Sequence, residues 1–234
     1  MQKLIVANYK MNGNAEFYDS VKSVMNNLKV KDTEIVLCPP FIYVPNLKIN
    51  NKNISVGVQD ISIEINKKST GQISPIMIKE FGAKYAIIGH SERRAIGESN
   101  EIVAAKVLNA VNNDLTPIIC VGEEDKKSSL DILVKQVETA LSESYDNIIF
   151  AYEPVWAIGS GEIPTNSQIN KALNIIKETA SKKGLNNIKV LYGGSVNDTN
   201  YMELLKTEAD GFLLGGISLN TDKLISLIQG VENE

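Results

Sequence analysis

Eight short runs rich in Ile, Val and Leu recur along the chain, alternating with amphipathic stretches, and this beat restricts the fold more than any other feature. The runs are Leu4 to Tyr9, Glu34 to Leu37, Ile54 to Gln59, Tyr85 to Gly89, Pro117 to Val121, Ile148 to Glu153, Ile188 to Tyr192 and Gly211 to Leu214. Runs this apolar are typical of strands covered on both faces, which is the situation of a parallel sheet flanked by helices. The clearest helical patterns lie between them, at Asn100 to Val111 and Thr165 to Ala180, with apolar residues such as Ile102, Val103, Val107 and Ala110 at helical spacing. Strand and helix in strict alternation point to parallel strands joined by crossover helices. At 234 residues the chain is long enough for one large domain or two small ones. No linker, low-complexity run or shift in composition divides it, so the reading is an α/β protein forming a single closed (β/α)₈ barrel domain over residues 1–234.

Charge narrows the function classes. A net charge of −4, with Lys and Asp/Glu interspersed, argues against a nucleic-acid surface, which needs clustered cations. The amino-terminal apolar stretch turns polar at Asn8 and is too short for a signal-peptide core. Nor does any apolar run reach bilayer length, so a cytoplasmic protein is expected. Cys38 and Cys120 end apolar runs and read as small core residues in a reducing compartment, not as a disulfide or metal site.

One segment breaks the rhythm. Residues Asp60 to Ile73 are long for a strand-to-helix connection, and Ile61, Ile63 and Ile65 alternate with polar residues. Apolar residues on a protruding arm ask for burial, which suggests a partner subunit, with folding back onto its own barrel as the alternative.

In a (β/α)₈ barrel the chemistry gathers at the carboxyl ends of the strands. Glu153 sits where the sixth apolar run stops, and Pro154-Val155-Trp156-Ala157-Ile158-Gly159-Ser160-Gly161 follows it, a loop with a stiff start and a pliable tip that reads as a lid. At the end of the first strand, Lys10 offers a fixed cation for an anionic substrate and Asn8 a hydrogen bond to a substrate oxygen. His90, the only histidine, follows the fourth strand; if Ser91 opens a helix, its amino end disfavours the protonated imidazole. The chain's two arginines, Arg93 and Arg94, come next and suggest bidentate ion pairs bracing this corner, with an intersubunit contact as the sharper option. Gly193-Gly194-Ser195 and Gly215-Gly216 end the last two strands, where this fold builds its phosphate cradle. A carboxylate base, an imidazole, a lysine and a phosphate cradle in one mouth suit proton abstraction beside the carbonyl of a small phosphorylated substrate. With no metal-ligand cluster and no dinucleotide fingerprint, a cofactor-free isomerisation fits best.

Five segments together resemble the triosephosphate isomerase family. They are Asn8-Tyr9-Lys10-Met11-Asn12, Gly89-His90-Ser91-Glu92-Arg93-Arg94, Ala151 to Gly161, Tyr192-Gly193-Gly194-Ser195-Val196 and Asp210 to Gly216, in the family's order and across nearly the whole chain. The resemblance implies a TIM barrel that interconverts dihydroxyacetone phosphate and glyceraldehyde 3-phosphate through an enediolate without a cofactor. It implies that Glu153 moves the proton, that His90 polarises the substrate oxygens, and that Lys10 with Asn8 stabilises the developing charge. Gly159, Ser195, Gly215 and Gly216 would hold the phosphate, and Glu92 and Ser91 would support the reacting groups. A homodimer is implied through the 60–73 arm, whose tip at Thr70, Gly71 and Gln72 would insert near the partner's Lys10 loop. Another cofactor-free sugar-phosphate isomerase, or a silent phosphate-binding barrel, are the competing readings.

Several positions depart from the family pattern. Tyr9 replaces the commoner tryptophan, Ser160 a threonine and Glu162 a lysine. Gln72 stands where glutamate is usual, removing a charge expected to pair with Arg93 across the dimer, and the stretch from Glu123 to Leu130 is short.

Overall fold

The computed structural model describes residues 2–64, 68–143, 145–160 and 162–234. Eight parallel strands close into a barrel in sequence order: β1 (Lys3–Asn8), β2 (Thr33–Cys38), β3 (Ile54–Val58), β4 (Tyr85–Ile88), β5 (Thr116–Val121), β6 (Ile149–Tyr152), β7 (Lys189–Tyr192) and β8 (Gly211–Leu214). The ring closes where Leu4 to Ala7 of β1 pair with Gly211 to Leu214 of β8. All eight sequence-read strands are present with ends shifted by a residue or two. Tyr9, Gln59, Gly89 and Glu153 fall just beyond the ladders, in the mouth instead of the sheet.

The helices are α1 (Ala15–Asn27), α2 (Pro75–Glu80), α3 (Ser91–Ala95), α4 (Asn100–Val111), α5 (Asp131–Ala140), α6 (Asn166–Lys182), α7 (Tyr201–Leu204) and α8 (Thr221–Glu232). Helix α6 begins one residue later than its pattern suggests because Thr165 is its cap. The Thr165 hydroxyl accepts from the Gln168 N–H while the Gln168 side chain accepts from the Thr165 N–H. The beat fails after β2, where only a 3₁₀ segment, Phe41–Asn46, follows. Pro45 removes a backbone donor inside that segment, which an α-helix would need.

Strand side chains alternate between two cores. Leu4, Val6, Val36, Ile87, Ile118, Ile149, Leu191 and Leu213, with Cys38, Cys120 and Ala151, fill the barrel interior. The intervening residues, among them Ile5, Ile35, Ile88, Ile119, Phe150 and Phe212, face the helices. Both cysteines are buried free thiols.

The amino-terminal end of the barrel is stoppered by a polar group. Tyr85 donates from its hydroxyl to Glu34 Oε1, and Lys189 Nζ lies 3.2 Å from Glu34 Oε2. Glu34→Ala leaves two partners unmatched and is expected to destabilise the fold by about 1–3 kcal/mol, lowering Tm by several degrees. The turnover number should not move, because this plug lies at the opposite end from the mouth. Thermal unfolding beside a steady-state assay checks both halves.

The 60–73 arm is partly folded back on its own barrel. Ile61 is buried, Ser62 N–H donates to Ile73 O at 3.0 Å, and the Asn109 amide of α4 holds Ile63 O at 2.7 Å. Ile63 itself stays exposed, as do Thr70, Gly71 and Gln72 at the tip, and Ile65 lies outside the described residues.

Candidate active site

The carboxyl ends of β1, β4, β6, β7 and β8 converge on a cavity of about 340 Å³ whose lining includes Asn8, Lys10, His90, Glu153, Gly159 and Ser195, together with Gly215 and Gly216. Residues more than two hundred positions apart in sequence are thus neighbours because the barrel closes. The cavity also takes in Gly193, Gly194, Val196, Asn197 and Ile217, which the sequence reading did not assign to substrate binding one by one.

Glu153 is buried, and its carboxylate is held at both oxygens. Ser91 N–H, at the first residue of α3, donates to Oε2 at 2.9 Å, and His90 Nε2 lies 3.2 Å from Oε1. The backbone leading to it runs from β6: Glu153 N–H donates to Val121 O of β5 at 2.8 Å. That approach requires Gly122, since a Cβ there would lie 1.7 Å from Glu153 O.

His90 caps α3. Its Nδ1 accepts from Glu92 N–H at 3.2 Å, so the ring proton belongs on Nε2, which faces Glu153 and the cavity. One backbone hydrogen bond therefore sets the tautomer and the aim of the ring.

Lys10 holds a left-handed backbone conformation, φ +51°, uncommon for a side chain of its size. Asn8 Oδ1 accepts from Lys10 N–H at 3.0 Å, and Gln59 Nε2 donates to Lys10 O at 2.9 Å and to Cys38 O at 2.9 Å. These bonds fix a strained turn that sends the ammonium across the mouth to Glu92 Oε1, 2.6 Å away. Burial works to raise the Glu92 carboxyl, but the Lys10 hydrogen bond and charge outweigh it and hold it below the usual carboxylate range. Gln59 was not singled out in the sequence; a polar residue just after an apolar run is its only signal.

The lid starts at Pro154 with a 3₁₀ turn, Val155–Ala157. Glu123, at the mouth end of β5, anchors this stem: its buried Oε1 accepts from Tyr152 OH at 2.9 Å and from Trp156 Nε1 at 2.8 Å, and its carbonyl from Val155 N–H at 3.0 Å. The sequence had marked Glu123 only as the start of a short loop. Ser195 Oγ donates to Ala157 O at 2.8 Å, so its hydroxyl is engaged by the loop that follows Glu153. Ile158, Gly159 and Ser160 follow, with Gly159 at φ +70°; Gly161 lies outside the described residues. Past the tip, Glu162 pairs with Lys126 at 2.6 Å, and Lys126 Nζ sits 4.9 Å from the Trp156 ring centroid. The lysine expected at position 162 is thus replaced by an acid that finds its cation on the neighbouring loop.

The arginine pair divides. Arg93 makes the expected ion pairs, to Glu98 at 2.7 Å and Asp60 at 3.1 Å, and Lys106 joins the same two carboxylates at 2.5 Å each. Arg94 does not. Its three contacts are to neutral acceptors: Gly89 O at 2.8 Å, Asn100 Oδ1 at 2.8 Å and Cys120 O at 3.1 Å. The expectation of bidentate ion pairs is corrected there, because the carbonyl ends of two strands reach the guanidinium where a carboxylate was anticipated.

Comparison with known proteins gives one consistent answer. The sequence pattern of the family described as Triosephosphate isomerase matches residues 3–231. The chain is 36% identical to the triosephosphate isomerase of Psychromonas ingrahamii over 98% of each chain. It is 37% identical to that of Buchnera aphidicola subsp. Cinara cedri, again over 98% of each. It is 38% identical to that of Dehalococcoides mccartyi over 97% of this chain and 96% of that one.

Proposed function

The chain belongs to the triosephosphate isomerase family, whose members interconvert dihydroxyacetone phosphate and D-glyceraldehyde 3-phosphate, and from that premise we propose how its own residues divide the work. The observation that carries the assignment is the convergence of Glu153, His90 and Lys10 on one cavity beside the glycines of β7 and β8.

Glu153 removes a proton from the carbon beside the substrate carbonyl. The electron pair of that C–H bond forms the carbon–carbon double bond, and the carbonyl pair moves onto oxygen to give an enediolate. His90 Nε2–H and the Lys10 ammonium meet the two oxygens, where the negative charge develops. Glu153 then returns its proton to the neighbouring carbon, while His90 Nε2 gives its proton to the enediolate oxyanion and takes the proton of the other oxygen, so that one oxygen ends as hydroxyl and the other as the new carbonyl. In the state seen here both Glu153 oxygens are engaged, one by Ser91 N–H, so the carboxylate must turn away from Ser91 before it can act. Closure of the lid over Gly159 and Ser160 supplies that turn, expels water and frees Ser195 for the phosphate beside Gly215 and Gly216. The test is a coupled assay on the purified chain with triose phosphates and, in parallel, larger sugar phosphates; turnover of the larger sugars alone would overturn the assignment.

A homodimer and a cytoplasmic setting belong to the same proposal, as does the working of residues 1–234 as one domain. Met11 and Ile96 at the mouth are 95% and 72% exposed, and Ile63 on the arm is exposed with them. Exposed large apolar side chains such as Ile63 and Ile96, which line one crevice, favour a covered surface. A crevice of about 410 Å³ lined by Ile63, Gln72, Arg93 and Ile96 could receive a partner's loop. Light scattering at micromolar concentration is expected to give the mass of two chains, and Ile96→Lys to shift it toward one; a monomer throughout would exclude the dimer. Among the described residues no helix is long and apolar enough to cross a membrane.

A further inference from the structure

We propose that Gln136 is a positioning residue for the base: its buried side-chain amide stands in for a strand that has ended, and holds the backbone to which Glu153 and the stem of the lid are attached. The inference rests on the proton-transfer role proposed for Glu153.

The buried face of α5 is Leu133, Gln136, Val137 and Ala140, one polar side chain in an apolar stripe. Gln136 is 6% exposed, and burying an amide is costly unless its oxygen and its nitrogen both find partners. Both find them on a single residue. Gly122 N–H donates to Gln136 Oε1 at 2.8 Å, and Gln136 Nε2 donates to Gly122 O at 3.1 Å. A side-chain amide carries the same donor and acceptor as a peptide group, so the pair copies one rung of a β ladder. The rung is needed at this place. β4 pairs with β5 as far as Ile88 opposite Ile119, whereas β6 follows β5 on to Tyr152 opposite Val121. Alternate residues of a strand turn their backbone groups to opposite sides, and the carbonyls of Val121 and Glu123 face β6. Gly122 therefore faces the side that β4 has left, where without Gln136 a buried N–H and C=O would lack partners.

What hangs on Gly122 is the corner that carries the base. Val121 O accepts from Glu153 N–H at 2.8 Å and Glu123 O from Val155 N–H at 3.0 Å, so residues 121–123 hold the backbone on both sides of Pro154. The Glu123 carboxylate adds its bonds to Tyr152 and Trp156. Between these two holds, Gly122 packs directly on the Glu153 peptide, and a Cβ at position 122 would lie 1.7 Å from Glu153 O. The close approach demands glycine, and glycine leaves this stretch of backbone freer than any other residue would. Gln136 takes that freedom away with two hydrogen bonds made from the helix layer, at no cost in space beside Glu153. The proposed phosphate cradle at Gly215 and Gly216 follows β8, across the mouth from this contact. Loss of Gln136 should therefore fall on the placement of the base and the lid stem, and not on the binding of substrate.

The test is steady-state kinetics beside the fluorescence of Trp156, the only tryptophan in the chain, whose indole N–H is bonded to Glu123. Gln136→Met keeps an unbranched side chain and leaves Gly122 without its partners. It should lower kcat by about tenfold with KM held within about twofold, the mark of a misplaced base and not of a damaged binding site. Trp156 emission should move to longer wavelength as its Glu123 anchor loosens. Gln136→Asn guards against a variant that does not fold: it retains the amide but retracts it by one methylene, and the same changes should appear at smaller size. Glu34→Ala, which lowers Tm from the opposite end of the barrel, is the control for lost stability alone and should leave kcat and emission in place. Unchanged kcat and emission in the folded Gln136 variants, however far Tm falls, would overturn the proposal and leave Gln136 a structural brace; so would a loss confined to KM. Emission is read without turnover, which separates the two claims. An inactive unmodified chain would remove the proposed role of Glu153, while Trp156 emission indifferent to Gln136→Met and Gln136→Asn would remove that of Gln136.

Discussion

Glu153→Gln is expected to lower kcat by about 10³-fold while KM changes little, because the amide keeps the shape of the carboxylate and loses its ability to accept a proton. Ser91 N–H donates to Oε2 and the His90 ring faces Oε1, so the parked side chain has one acceptor the amide can copy and one contact it copies poorly. The folded state should therefore persist with a small change in Tm. Glu153→Asp is the complementary experiment. It keeps the charge and retracts it by one methylene, and mispositioning of about 1 Å can cost ~10²-fold. A base that works by reach and charge gives both losses in kcat, the amide's the larger. Equal kcat in Glu153→Gln and the unmodified protein would end the role of this carboxylate as base. A loss confined to KM in either variant would reassign Glu153 to substrate binding.

How much of this was legible in the sequence depends on distance along the chain. Each apolar run names a strand because burial on both faces leaves only apolar residues, and the observed ladders begin and end within a residue or two of those runs. The residues at the carboxyl ends were legible for the same reason: barrel closure brings every strand end to one mouth, so Lys10, His90 and Glu153 could be grouped without knowing any angle. Side-chain partners were not. Whether Arg94 meets a carboxylate or a carbonyl depends on the separation of β4 and β5, which no local pattern states. Glu123 could not be seen as the anchor of Trp156, because their contact joins two loops through a geometry set by the whole sheet. The 3₁₀ connection after β2 was signalled by Pro45, and the regularity of the other units hid it.

Lys10 carries the second large effect, and its backbone makes the prediction two-sided. Lys10→Met removes the cation proposed to meet the developing oxyanion and is expected to reduce kcat/KM by about 10²–10³-fold, with kcat and KM both affected if the same ammonium attracts the phosphorylated substrate. A change in KM alone would mean that Lys10 steers the substrate and does no more. The left-handed turn at φ +51° costs a non-glycine residue about 1–2 kcal/mol, and methionine at position 10 inherits that cost. Lys10→Gly does not, since glycine occupies this region without a Cβ clash. The Asn8 bond to the residue-10 N–H and the Gln59 bond to its carbonyl both survive in the glycine variant, as neither involves the side chain. What is lost is the ion pair to Glu92, which is open to solvent and worth at most about 1 kcal/mol. Lys10→Gly should accordingly be as inactive as Lys10→Met yet more stable than it. A higher Tm for the methionine variant would show that the turn is not strained. With the expected order, the strain at position 10 is tolerated for the sake of placing one ammonium opposite Glu153 and His90.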